Sequence, residues 1–527
     1  MTNEEWEYYI NKCNVPQHYR PIVKKYRKNF GQHITEIGKI PGIEFEVEIE
    51  RIADSKNGQW KNPHAFHTNP YSQNASDQAE IERQLDEQLE AGIIKPSTNP
   101  GEYQASCTVV TKKADPITGE KAKRVAIDYT GLNANTKMKN YPIPNIRRIV
   151  EKSTLFKKYI LIDIKSAYNH IPVKEECQEL LGFAVENRGR FIPTRMNFGP
   201  KGAPAVFGAA MQMIFGDLYR TGWFYQYFDD LTICGNTTKE LMERFEIVMQ
   251  KIEQYNLTIK LTKCEWEKEE INILGSRISK GSQKIQPKYL EAVKQWKLTS
   301  ENAESFLGMI NYLSKFIPNL AELTKPIREI VERPKEKKGG LKPPKRSVND
   351  PEVIRNFEKI RQIILNDPEL KGIDPNKPVT IRTDASDIAG GAVLMQEDNK
   401  ILKPRAYFST TFNETERKWH ILRKEALVLR KAVQHFKKDI KCLRPGWITI
   451  QTDNQTLKNM LKKPQQHDDT EIQYAAYEVA QIFANVEHIK GSENFIADFL
   501  SQKRKTIQPS NEERLLVGIM DNPDYIV

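Results

Sequence analysis

From Asp77 to Gly92 the apolar side chains Ile81, Leu85 and Leu89 recur four residues apart and end at Ala91-Gly92, which predicts an amphipathic helix with a glycine stop. A second helix is predicted from Thr238 to Tyr255, where Leu241, Phe245, Val248, Met249 and Ile252 share one face. Others are expected over Ala303–Ile317 and Leu422–Phe436. Strands are expected where the period falls to two or the apolar run is short. These are Pro41–Ile49, Tyr159–Ile164, Trp223–Gln226 with Leu231–Ile233, Ile381–Ser386 leading into Gly390–Leu394, and Trp447–Thr452. Residues 1 to about 75 otherwise read as a polar, loop-rich leader. Between Glu332 and Asp350 the run Arg-Pro-Lys-Glu-Lys-Lys-Gly-Gly-Leu-Lys-Pro-Pro-Lys-Arg cannot pack a core and reads as a basic tether, or as a grip on phosphate backbone. Strands and helices interleave on both sides of it, so the chain is expected to be a multidomain α/β protein.

Composition narrows the partners. The 527 residues suffice for several domains, and a formal net charge of +11 favours a polyanion without identifying it. The cysteines, Cys13, Cys107, Cys177, Cys234, Cys264 and Cys442, lack disulfide-framework or zinc spacing, which suits a reducing intracellular compartment. No apolar run approaches membrane-spanning length and no signal peptide opens the sequence, so no membrane partner is expected.

The chemistry concentrates at Tyr227-Phe228-Asp229-Asp230, set between two apolar strands. Two adjacent carboxylates at a hairpin tip repel each other, so they are either solvated or bound to a hard divalent cation such as Mg²⁺. Asp163, at the end of the Tyr159–Ile164 run, supplies a third. Three such groups suit two metal ions about 4 Å apart, the arrangement that aligns an attacking 3′-hydroxyl and neutralises a departing pyrophosphate. Taken singly, each acid has a plainer explanation as a turn, cap or strand end.

Further motifs share this order. They are Leu89–Ser97, Arg124–Tyr129 with Leu132-Asn133, Tyr141–Pro144, Phe198–Ala205, Lys263–Glu265, Leu274-Gly275, and Ser305–Gly308 with Asn311-Tyr312. Together they resemble the reverse transcriptase and ribonuclease H region of LTR-retroelement Pol polyproteins, Gypsy-type retrotransposons and plant pararetroviruses above all. The resemblance implies a right-hand polymerase of fingers, palm and thumb, followed by a ribonuclease H-like α/β domain. Its expected boundaries are a leader at 1–75, fingers and palm at 76–278, thumb at 279–331, tether and connecting helix at 332–376, the nuclease at 377–503 and a tail at 504–527. The lack of protease or integrase motifs points to a segment of a longer polyprotein.

By motif position the resemblance assigns Asp163, Asp229 and Asp230 to the polymerase metals, Mg²⁺ with Mn²⁺ as a substitute. It gives Arg124 and Lys113, with Lys112 in competition, to the incoming triphosphate from a fingertip hairpin around Pro116–Gly119. Tyr168 would lie under the deoxyribose and exclude a 2′-hydroxyl, Phe198 and Gly199 would approach template base and nucleotide, and Lys263, Leu274 and Gly275 would hold the primer side. Asn197 and Pro200 depart from the family's Pro-Phe-Gly-Leu element. Asp384, Glu425, Asp453 and Asp498 match the nuclease's two-metal set, whereas His488 reads as a strand residue entering a loop. The implied partners are an RNA template, a DNA primer, their hybrid and dNTPs, in the cytoplasm or a virus-like particle, with monomer and homodimer both open. A catalytically silent, nucleic-acid-binding scaffold is the alternative, although clustering acids without chemistry carries an electrostatic cost.

Overall fold

A computed structural model describes residues 2–50, 66–101, 103–111, 123–142, 144, 146–318, 320–331, 346–398, 400–441, 443–463, 465 and 468–490. The expected fingertip hairpin with Lys112 and Lys113, the basic run 332–345, Asp498 and the tail lie outside them. The chain divides into two compact units, residues 1–146 with 157–269, and residues 147–156 with 270–527.

The first unit begins with helices where the sequence suggested a loop-rich leader. Helix α1 (Asn3–Lys12) carries a complete capping box between Thr2 and Glu5, and α2 (Arg20–Lys25) follows. Trp6, Tyr19, Tyr26 and Phe30 from this segment are almost fully buried in the unit's main core. The Tyr19 ring meets Phe245 edge-on at 5.7 Å and Trp266 at 5.2 Å, so these residues are an integral wall of the unit. The expected strand at 41–49 is likewise corrected. Phe45 and Val47 alternate inward as predicted, but among the described residues the segment makes only isolated bridges, Phe45 to Val173 and Ile49 to Thr136, rather than a continuous ladder.

Helix α3 (Ala75–Glu90) forms where its periodicity placed it, capped by Asn74 and burying Ile81 and Leu85. Strands β1 (Tyr103–Thr111) and β2 (Lys123–Ile127) pair antiparallel at the edge of a six-stranded sheet. A separate four-stranded antiparallel sheet holds β3 (Lys158–Asp163), β4 (Phe224–Tyr227), β5 (Asp230–Gly235) and β6 (Glu265–Lys268) in the order β6-β3-β5-β4. The unit's core also takes in α4 (Ala203–Phe215) and α5 (Thr238–Gln254), whose Phe207, Ile214, Phe245 and Val248 are inaccessible to solvent or nearly so.

The second unit opens with the meander β7 (Ile271–Ile273), β8 (Ser276–Ser279) and β9 (Ser282–Ile285). Helices α6 (Ala303–Tyr312), α7 (Leu320–Val331) and α8 (Pro351–Leu365) share an apolar core around Phe306, Ile327 and Phe357. The helix expected to reach Ile317 stops at Tyr312 and continues as a single 3₁₀ turn, Ser314–Phe316. Strand β10 (Leu370–Lys371) closes the meander against β9.

A five-stranded mixed sheet follows, built from β11 (Val379–Ala385), β12 (Ala389–Asp398), β13 (Ile401–Thr411), β14 (Ile448–Thr452) and β15 (Asn485–His488). Its order is β13-β12-β11-β14-β15, with antiparallel pairing on the β13 side and parallel pairing of β11, β14 and β15. Parallel neighbours need crossovers, supplied here by α9 (Ile421–Ile440), α10 (Gln455–Lys462) and α11 (Thr470–Gln481). The helices bury Ala426, Leu429, Val433 and Phe436 against Ile381, Leu394 and Ile450 of the sheet.

Candidate active sites

The first site is set by strand register. β3 and β5 pair antiparallel with Asp163 opposite Asp230, and β4 pairs with β5 so that Tyr227 faces Asp230. Only Phe228 and Asp229 remain for the turn. Such a tight hairpin demands a positive φ, which Phe228 supplies at +51° although a bulky side chain disfavours it. The turn is held in place: the Gln226 amide donates to the Phe228 carbonyl, and the Ile164 N–H donates to the Asp229 carbonyl at 2.9 Å. Asp163, Asp229 and Asp230 are thereby gathered at one end of the sheet.

Their electrostatics suit a cation. Asp230 is open at the surface, yet partial burial and then the charges of Asp229 and Asp163 push its carboxyl up to about 6. Asp163 already accepts an ion pair from Lys263 at 2.7 Å. Lys263, expected on the primer side, therefore places its ammonium on the carboxylate. In this geometry no three Asp, Glu, His or Cys side chains among the described residues close around a point to hold a metal. The donor set nevertheless fits Mg²⁺: hard carboxylate oxygens, a raised acid that a cation would lower, and one carboxylate already drawing a positive group.

Beside the carboxylates stands a row of flat groups. The Arg124 guanidinium lies 3.7 Å from the centre of the Phe198 ring, Phe198 lies 4.5 Å from Tyr168, and Tyr168 meets Phe207 at 5.1 Å. Burial lowers the Arg124 pKa while Asp229 opposes that shift, and burial raises the Tyr168 hydroxyl with Asp229 adding to it. Arg124, Tyr168 and Phe198 thus form one wall near Asp229. Gly199 takes φ +108°, and a Cβ there would stand 3.1 Å from Tyr129, so any other residue would be strained and tightly packed. Asn133 fixes this loop from both directions, donating to the Gly199 carbonyl at 2.9 Å and accepting from the Lys201 N–H at 2.7 Å. Asn197, the departure from the family pattern, is buried and turns its amide toward the Tyr129 hydroxyl at 3.5 Å.

His170 is a residue that sequence reading missed. It is wholly buried, accepts from the Thr258 N–H on Nε2 at 2.9 Å, and donates from Nδ1 to the Ala167 carbonyl at 3.3 Å. Burial holds its pKa down to about 4, so the ring is neutral and ties the Tyr168 turn to Thr258. A partner 88 residues away leaves no local signal.

The second site draws acids from separate elements. Asp384 lies on β11 opposite Gly391, Asp453 follows the last residue of β14, and Glu425 is one turn into α9. Glu425 is pushed up to about 8, first by burial and then by Asp453 and Asp384, and its Oε2 is buried with no hydrogen-bond partner. An orphaned carboxylate oxygen facing two more acids is the donor chemistry that a divalent cation satisfies. His488 ends β15 beside Thr452, and its ring donates to the Asp453 carbonyl at 3.1 Å. Leu274 and Gly275 form the β7–β8 turn in this same unit.

Residues 110–278 match the family described as reverse transcriptase (RNA-dependent DNA polymerase), and residues 350–445 match the RNase H-like domain found in reverse transcriptase. The retrovirus-related Pol polyprotein from transposon 297 of Drosophila melanogaster is 31% identical over 427 residues, 80% of this chain and 38% of that protein. The transposon Tf2-3 polyprotein of Schizosaccharomyces pombe is 28% identical over 472 residues, 88% of this chain and 33% of its own. The chain therefore spans between 33% and 38% of the length of these relatives. Among solved structures, the foamy viral protease-reverse transcriptase in complex with dsDNA aligns with a TM-score of 0.72 at 19% identity, over 93% of this chain and 98% of that one. The same protein in complex with RNA/DNA hybrid aligns with a TM-score of 0.70 at 19% identity, over 95% and 64%. At that identity the likeness establishes the fold. With its two carboxylate sites on a reverse transcriptase domain and an RNase H-like domain, the chain corresponds to the reverse transcriptase/ribonuclease H region of LTR-retroelement Pol polyproteins.

Proposed function

We propose that the chain is an RNA- and DNA-dependent DNA polymerase that extends a primer with dNTPs and cuts the RNA strand of the resulting hybrid. The observation that carries this reading is the pairing of Asp163 with Asp230 across β3 and β5, with Asp229 in the two-residue turn beside them. Mg²⁺, or Mn²⁺ in its place, held by Asp163, Asp229 and Asp230 in one site and by Asp384, Glu425 and Asp453 with Asp498 in the other, would stabilise charge on attacking and leaving oxygens.

The chain's own residues do the positioning. Arg124 offers a guanidinium to a triphosphate and is pre-oriented by its stacking on Phe198. Tyr168, packed between Phe198 and Phe207, is a rigid floor for a sugar ring and discriminates against a 2′-hydroxyl by occupying its space. Gly199 lets main chain approach a base closely. In the second site Glu425, raised to about 8, must lose its proton before it can act as a ligand, so cation and proton compete there. The duplex partner is read by backbone and shape, so binding is expected to be sequence-tolerant and to weaken with salt. The neighbours bound to dsDNA and to RNA/DNA hybrid support this class of ligand.

The test is extension of a labelled DNA primer on a labelled RNA template by the intact chain with dNTPs and Mg²⁺. Longer primer and shortened template are expected, both abolished by EDTA. A folded chain that binds the hybrid and does neither is a scaffold, and the enzyme reading falls.

A further inference from the structure

The buried face of α9 is apolar over most of its length, with Ala426, Leu429, Val433 and Phe436 set into the core of the mixed sheet. Lys424 interrupts it. Its side chain is 3% exposed, and no other lysine among the described residues is as deeply buried. Taking an ammonium out of water is unfavourable, and a leucine or methionine would fill the same space without that cost. Packing alone therefore does not account for a lysine here.

What Lys424 reaches is the hairpin that carries Asp384. After Asp384 the chain turns at Ser386, Asp387 and Ile388 and returns as β12, with Ala385 paired to Gly390. The Lys424 ammonium donates to the Asp387 main-chain carbonyl and to its Oδ1, each at 3.3 Å. That carboxylate is 96% exposed, so water screens its attraction and the carbonyl is the partner that counts. One helical turn further along α9, Val428 meets the same hairpin at Gly390, where a Cβ would collide with the valine side chain. Ala385, Phe412, Leu427 and Val428 form a small core at this contact. Helix and hairpin thus meet at two points one turn apart, one polar and one packed. Glu425 lies between them along the helix, and Asp384 lies on the strand that leads into the turn.

We propose that Lys424 is a positioning residue for RNA cleavage: through the Asp387 carbonyl its ammonium ties the β11–β12 turn to the first turn of α9, and so fixes the separation of Asp384 and Glu425. The inference rests on the nuclease reading above. Without this tie the turn keeps its main-chain bonds, Ser386 N–H to the Ala389 carbonyl at 2.9 Å and Phe412 N–H to the Ile388 carbonyl at 3.0 Å, but neither of these reaches α9. The two acids then sample a spread of separations, only a fraction of them reactive.

Lys424→Met keeps the length of the side chain and removes its charge. Because the Asp387 carboxylate lies in solvent, the change strands no buried charge, and the thermal midpoint in chelator is expected at or above the wild-type value. The kcat for template cutting should fall roughly 10-fold with KM for the hybrid unchanged, an effect of displacement from reactive geometry, while primer extension holds. Amide exchange at residues 386–390, followed without metal, should quicken. Asp387→Asn, which keeps the carbonyl, should cut at close to the wild-type rate. Unchanged kcat in Lys424→Met overturns the proposal, as does a loss that appears wholly in KM, which would mark Lys424 as a duplex contact. A Lys424→Met chain that no longer folds, or an equal loss in Asp387→Asn, overturns it too, the first by making the lysine structural and the second by making the exposed ion pair the agent. If the wild-type chain cuts nothing, the nuclease reading fails by itself, and the exchange experiment alone decides whether the tie exists: quicker exchange supports it, unchanged exchange removes it.

Discussion

The two carboxylate sites gather like charges by different means. In the first, neighbouring strands do the work: register sets Asp163 opposite Asp230, a two-residue turn adds Asp229, and Lys263 offsets part of the charge. In the second, Asp384, Glu425 and Asp453 come from a strand, a helix and a strand end, and Glu425 is raised to about 8, first by burial and then by the other two charges, with one oxygen unpartnered. The first site sets a lysine against one of its acids. The second has no such lysine among the described contacts of Glu425, which instead holds its proton to a higher pH.

The largest effect that would sharpen this contrast concerns synthesis alone. Arg124→Ala removes the stacked cation near Asp229 and should slow nucleotide incorporation by roughly 10²–10³-fold, as loss of a preorganised charge does, with template cutting unchanged. Equal loss of both activities would mean the substitution had damaged the fold.

Stability without metal probes the charge cost directly. Because the folded pKa of Glu425 lies above its unfolded value, the contribution of its protonated form is complete below about pH 4.5 and is lost as pH rises through about 8. Melting in chelator at pH 8 should therefore show Glu425→Gln stabilising the second unit by on the order of 4 kcal/mol, with no gain at pH 4. Asp230→Asn, at a solvent-open position, should gain only on the order of 1 kcal/mol in the first unit. A larger gain for Asp230→Asn would reverse the comparison.

His170 titrates in the opposite sense. Its folded pKa of about 4 lies below the unfolded value of 6.5, so its contribution is present above pH 6.5 and is lost as pH falls toward 4. Urea unfolding followed at the tryptophans should lose about 3 kcal/mol of first-unit stability over that window, and His170→Gln should flatten the slope. A change nearly as small is expected for Gly199→Ala, about 1–2 kcal/mol of destabilisation from φ +108° and the Tyr129 contact, read as a fall in the first unit's melting temperature.

What could be read from the sequence follows the same division. The Asp229-Asp230 turn, the run ending in Asp163 and helix α3 were legible because each signal is contiguous or has one period. The mixed sheet around Asp384 and Asp453 came from motif order, since nothing local shows that β11 and β14 lie side by side. The burial of Trp6, Tyr19, Tyr26 and Phe30 was not legible: the aromatics are scattered among charged residues, and the Tyr19 partners Phe245 and Trp266 lie more than two hundred residues on. The 41–49 alternation reported its inward face correctly but not that its pairing would be limited to isolated bridges among the described residues. Tyr312 stood within a recognised motif, and its hydrogen bond to Leu274 emerged only from the packing of α6 on the turn.

The central claim is that one chain holds two independent carboxylate sites with separate reactions. It is tested most directly by placing Asp229→Asn and Asp384→Asn beside the wild-type chain on a hybrid labelled in both strands. Asp229→Asn should stop primer extension and leave template cutting intact, and Asp384→Asn should do the reverse. If either substitution abolishes both reactions in a chain that still folds and binds the hybrid, the two sites are not independent and the account is contradicted.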